Sequence, residues 1–172
     1  MKKIVAVLML ALICFGLCAC SESDVPDDMK LASLDNVPFK LYVPKSWSDN
    51  TASGISSAYY SNSDRSNVQV TIHLAEEGVS SVDDYWEKAS EDYAAAMTDF
   101  ANVGEAEATV LGGLNAKKYV FGGKIGTTEY KYVQVISYAN GSFYILTYTA
   151  TPDNFDSHLE DVNRIIEAFK FK

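Results

Sequence analysis

The chain has 172 residues, 48% of them hydrophobic, and a formal net charge of -9 at neutral pH. So acidic a surface argues against nucleic acid, whose phosphates need Lys and Arg, and against electrostatic docking on anionic lipid head groups. All three cysteines lie at or before Cys20, so the chain beyond it has no disulfide, thiolate metal site or cysteine nucleophile.

The N-terminus reads as an export signal. Lys2 and Lys3 precede an unbroken apolar run of twelve residues, Ile4 to Phe15. That run is short of the roughly 20 apolar residues that span a bilayer and suits a secretory signal. Leu17-Cys18-Ala19-Cys20 follows it and resembles the bacterial lipobox. The resemblance implies cleavage after residue 19 and a diacylglyceryl thioether on Cys20, the kind of acylated anchor that palmitate labels. Two acyl chains hold a protein on a membrane stably, where one holds it only marginally. Cleavage removes two lysines and no acid, so the net charge falls from -9 to -11 and 153 of 172 residues remain. That length suffices for one domain held by its core alone.

Residues 20–37, rich in Ser, Asp and Pro, lack an apolar period and read as a lipidated Cys20 with a flexible tether. Residues 38–172 read as one folded domain. Phe39, Leu41 and Val43 alternate with Lys40 and Tyr42 until Pro44 ends the strand. A second strand is expected over Ser57–Ser61, a turn at Asn62-Ser63-Asp64, and a third strand through Val68, Val70, Ile72 and Leu74. A helix is expected from Ser81 to about Phe100, capped by Ser81, with Asp83 and Asp84 in its first turn. Its apolar stripe is Val82, Tyr85, Trp86, Ala89, Tyr93, Met97 and Phe100.

Gly112-Gly113 joins two strands and sets Glu107 opposite Lys118. Gly122, Gly123 and Gly126 read as the next loop. Asn140-Gly141 suits a type I′ turn and places Tyr138 opposite Phe143, Ile136 opposite Ile145, and Val135 opposite Leu146. Both faces of these last strands are apolar, which predicts central strands covered by helices on each side. Thr151 as N-cap and Pro152 at N1 open a final helix with a stripe of Phe155, Leu159, Val162, Ile165, Ile166 and Phe169. The expected fold class is α+β, an antiparallel sheet of about six to seven strands sandwiched by helices.

Three strings carry a family resemblance. They are Phe39-Lys40-Leu41-Tyr42-Val43-Pro44-Lys45-Ser46-Trp47, Leu111-Gly112-Gly113-Leu114-Asn115-Ala116, and Tyr144-Ile145-Leu146-Thr147-Tyr148-Thr149-Ala150 before a helix ending at Phe169. Together they resemble the PsbP-like superfamily of α/β/α sandwich domains, over about Asp35 to Lys172. That superfamily includes photosystem II extrinsic proteins, a Ran-binding nuclear transport factor and bacterial envelope lipoproteins. The resemblance implies the sandwich fold and, with the lipobox, the envelope branch. It carries no catalytic residue onto this chain.

No motif of catalysis or metal binding stands out. There is no Gly-x-Ser-x-Gly elbow, P-loop or HExxH. His73 falls on the polar face of a strand and His158 on a helix surface, so neither is expected to act. The Asp83-Asp84 pair serves a helix N-terminus, and Glu105 and Glu107 read as a solvated face. No cofactor or metal is expected. Tyr42, Trp47, Tyr59 and Tyr60 are the candidate partner-binding residues, against the plainer reading that they pack the core. The expected function is a non-catalytic, lipid-anchored binding or accessory module of the bacterial cell envelope. Its partners are the membrane, through the lipid, and another envelope protein or ligand. The alternatives are an envelope hydrolase with an unrecognised site and a small-ligand-binding lipoprotein. Convergent polar groups with shifted carboxylates in a pocket favour an enzyme, and a broad exposed aromatic patch favours a partner module.

Overall fold

A computed structural model describes residues 25–52 and 54–172. The signal segment and Cys20 lie outside the described residues. The elements are β1 (Met29–Leu31), β2 (Phe39–Lys40), β3 (Tyr42–Pro44), β4 (Ser48–Asp49), β5 (Ser56–Tyr59) and β6 (Asn67–Leu74). Helix α1 (Val82–Ala96) comes next, then β7 (Thr98–Asn102), β8 (Glu107–Leu111), β9 (Leu114–Ile125), β10 (Thr128–Ala139) and β11 (Ser142–Ala150). The chain closes with α2 (Pro152–Phe155), a 3-10 turn (Asp156–His158), α3 (Leu159–Ala168) and β12 (Lys170–Phe171).

Local turn chemistry builds the centre. Asn140 and Gly141 have φ of 52° and 73°, the two positive values that a type I′ turn requires. The turn fixes Tyr138 opposite Phe143, Ile136 opposite Ile145 and Val135 opposite Leu146. The Gly112-Gly113 turn likewise sets Glu107 opposite Lys118, and the two side chains form an ion pair at 2.6 Å. The resulting antiparallel sheet has eight strands among the described residues, in the order β4-β5-β6-β11-β10-β9-β7, with β8 also on β9. The fold is thus mixed α+β around a large antiparallel sheet.

Each face of that sheet is covered, because the central strands are apolar on both. Val133, Val135, Leu146 and Tyr148 pack against Phe155, Val162 and Ile165 and against Phe39, Leu41 and Val43. On the other face Tyr119, Ile136, Phe143 and Ile145 meet Val82, Tyr85 and Trp86 of α1. Ser81 accepts a hydrogen bond from the Asp84 amide at 3.1 Å, and the Asp84 carboxylate accepts one from the Ser81 amide, so a capping box starts α1. No helix among the described residues is long and apolar enough to cross a membrane.

Four expectations need correction. The tether expected to run to Val37 contains β1, which pairs with β3, and Met29 is only 3% exposed. The strand expected over Phe39–Val43 is broken at Leu41 into β2 and β3, which pair with β12 and β1 instead of joining the large sheet. Tyr42, a candidate partner-binding residue weighed against core packing, is buried with its neighbours, so it packs the core. Helix α1 ends at Ala96, not Phe100. Asp99 takes a φ of 57°, and β7 follows along β9. Gly122 and Gly123 sit inside β9 rather than in a loop. A Cβ on Gly123 would lie 3.1 Å from both Cβ and Sδ of Met97, so the glycine lets the α1–β7 junction cross close over the strand.

Candidate functional site

The four aromatic candidates do not form one exposed patch. Tyr42 and Trp47 are buried, Tyr59 is half-buried, and Tyr60 is 37% exposed. The Arg65 guanidinium lies 4.4 Å from the centre of the Tyr59 ring, which occupies one face of it. Trp47, 1% exposed, plugs one end of the core and donates its indole N–H to Asp161 Oδ2 at 2.9 Å.

Trp47 and Tyr60 instead enclose His158. Their ring centres lie 5.8 and 4.2 Å from the imidazole. The 3-10 turn between α2 and α3 carries His158 inward, so it is 6% exposed rather than on a helix surface. Its Nε2 lies 2.7 Å from Asp64 Oδ2. The other oxygen of Asp64 accepts from the Ser66 hydroxyl at 2.6 Å and the Ser66 amide at 3.0 Å. Burial pushes the Asp64 carboxyl up, but the Ser66 and His158 hydrogen bonds and the imidazole charge outweigh it and hold it below its ordinary value. The Ser66 hydroxyl points at the carboxylate and not at the imidazole, so this Ser–Asp–His group locks the β5–β6 turn onto the 3-10 turn. It does not deliver an activated nucleophile.

A second site lies on the other face, where α1 leaves the end of β6 uncovered. A cleft of about 200 Å³ opens between them, bordered by His73, Glu76, Tyr85, Lys88, Asp92 and Phe143. His73 Nδ1 is 2.8 Å from the Tyr85 hydroxyl. Burial, and secondarily the nearby Tyr93 and Asp92, raise the Tyr85 phenol above its ordinary range, so it stays protonated. Lys88 forms an ion pair with Glu76 and holds that carboxyl below its ordinary value. Leu74, at the rim, is 81% exposed.

Sequence reasoning placed His73 and Tyr85 on their correct faces but did not join them. No sequence signal joins them, since they lie on separate elements, β6 and α1. Among the described residues, no group of three His, Cys, Asp or Glu side chains could hold a metal ion.

The PsbP family profile matches residues 35–171. No curated protein sequence matches the chain. Among solved structures, cyanobacterial PsbP (CyanoP) from Synechocystis superposes with a TM-score of 0.59 at 14% identity, covering 91% of this chain and 99% of that one. The Ran-binding protein Mog1p of Saccharomyces cerevisiae gives a TM-score of 0.59 at 11% identity, over 84% of this chain and 95% of its own. LpqN of Mycobacterium tuberculosis, described as involved in cell envelope biogenesis, gives 0.51 at 16% identity, over 86% of this chain and 80% of its own. At these identities the similarity is one of fold.

Proposed function

Because the chain belongs to the PsbP family, whose solved relatives include a Ran-binding protein and an envelope-biogenesis protein, we propose that it is a non-catalytic binding module of a bacterial cell envelope. Cys20 carries a diacylglyceryl anchor, as the lipobox implies. The domain recruits another envelope component through the cleft between α1 and β6.

The observation that carries this reading is how the polar groups of the molecule are spent. The imidazole of His158 is walled in by rings and bonded to Asp64. Nδ1 of His73 is hydrogen-bonded to the Tyr85 phenol. The cleft carboxylate Glu76 is held ionised by Lys88, the opposite of the raised carboxyl that a general acid needs. What the cleft offers outward is the Leu74 side chain, apolar ring surface, the Glu76–Lys88 pair and Asp92, which suits recognition. Tyr60 reaches solvent at the opposite end of β5, against His158, and lies apart from this cleft.

The test is photocrosslinking in intact cells. Benzoylphenylalanine at position 74 is expected to give a discrete adduct, while the same group at Val110, 53% exposed on β8, gives none. His73→Asn should leave the adduct in place. An adduct pattern equal at both positions, or a phenotype lost in His73→Asn with normal folding and capture, would turn the reading toward an enzyme.

A further inference from the structure

The free edge of β6 is the part of this surface best built to bind. β6 pairs with β11 along Asn67–Leu74, but with β5 only through Asn67–Val70. Successive residues of an antiparallel strand turn their N–H and C=O to opposite edges. Two bonds set the phase here: Ala75 N donates to Gly141 O at 2.9 Å, and Tyr60 N donates to Ser66 O at 2.8 Å. Thr71 and His73 therefore serve β11, while Ser66, Val68 and Val70 serve β5. The backbone groups of Ile72 and Leu74 point outward, past the last residue of β5. Gly54, at φ 77°, precedes β5, whose pairing with β6 begins only at Ser56.

Both sides of this open edge are hollow. On the α3 side a groove of about 310 Å³ has Val70 and Ile72 in its floor and Val37, Phe39 and Ile55 in its walls. On the α1 side lies the cleft with His73, Tyr85, Glu76 and Asp92. A strand added to the edge would send alternate side chains into these two spaces.

We propose that the edge of β6 at Ile72–Leu74 receives an extended segment of a partner protein, apolar and basic in alternation, as an added strand. The residue facing Ile72 is apolar, because the groove there is, and the one facing Leu74 is apolar to cover that exposed side chain. The residue between them is basic: on its side Lys88 is already paired with Glu76, and Asp92 leaves the cleft net negative on a chain of charge -9. This rests on the binding-module reading and specifies how that module recognises its partner.

The probe is the peptide acetyl-Val-Lys-Val-Lys-Val-amide added to the full chain in detergent, with amide exchange read residue by residue. In the free protein Ile72 and Leu74 exchange fast, and Thr71 and His73 slowly. At saturating peptide the Ile72 and Leu74 amides slow by at least about tenfold. N-methylation of the peptide edge that faces β6 abolishes this, and N-methylation of its other edge does not. Glutamate in place of the lysines, or Asp92→Asn in the protein, weakens binding by about two- to fivefold. Binding without protection at Ile72 and Leu74, or binding indifferent to N-methylation, overturns the proposal. So does protection that grows with protein concentration alone, which assigns the edge to a second copy. No peptide binding alongside a cellular adduct at position 74 sinks strand addition and spares the binding module; the loss of both sinks both.

Discussion

At the scale of single residues, Asp64 decides the most. It closes one turn through Ser66 and a distant one through His158, 94 residues away in sequence. Asp64→Ala leaves the buried imidazole and hydroxyl without their acceptor and should cost about 1–3 kcal/mol, read from chemical denaturation. The pH dependence has a definite sign. A carboxyl whose folded pKa is depressed contributes stability that is full above its unfolded value, 3.8 for Asp64, and is lost as pH falls through the folded value. The gap between wild type and Asp64→Asn should therefore shrink as pH falls below about 4. A gap that widens below that pH would contradict the assignment. None of this pairing was legible beforehand. His158 stands in sequence between Asp156 and Glu160 and reads as a solvated helix residue. Only the 3-10 turn, a tertiary outcome, brings it inside. Trp47 was legible, because a large ring just after a buried strand has little choice but to fill the core end.

At the scale of elements, legibility followed how local the determining chemistry is. The Asn140-Gly141 and Gly112-Gly113 hairpins were readable to the residue because two positive φ values at a two-residue turn fix the register. The end of α1 was not, because Met97 and Phe100 keep the helical spacing after the helix has stopped. Phe100 still packs on Phe121, with ring centres 5.8 Å apart, but it does so from β7. The pattern records burial and does not say which backbone delivers it. Leu146 lies fully buried on β11, and Leu146→Ala should cost about 2–5 kcal/mol in a denaturant titration. Unchanged stability would refute the central placement of β11. The strand β1 was missed because three residues beside Asp27 and Asp28 have no period to read. A chain starting at Ser33 loses Met29 and Ala32, both buried against β3 and its neighbours. It should be less stable than one starting at Ser23 by about 2–5 kcal/mol, the range for a buried Met side chain. Equal melts would show that β1 adds no core.

At the scale of the whole molecule, the early onset of structure changes how the domain sits if Cys20 bears lipid. β1 begins at Met29, nine chain steps from Cys20. At roughly 3.6 Å per residue those steps reach no more than about 32 Å, where a tether to Val37 would have reached about 60 Å. An anchored domain would then work close to the membrane surface, within reach of membrane-bound partners and not of distant ones. With so acidic a surface, such a domain would be held by lipid rather than by charge. The sandwich architecture was readable because both faces of β10 and β11 are apolar, which leaves a sheet between two covering layers as the consistent arrangement. The open edge of β6 was not, since it depends on where β5 stops relative to β6. The account stands or falls on attachment, and intact mass spectrometry of the protein extracted from membranes tests it most directly. The expected result is a chain that begins at Cys20 and carries a diacylglyceryl mass, with Cys20→Ala left unprocessed. A mature N-terminus at any other residue, or an unmodified Cys20, would contradict it.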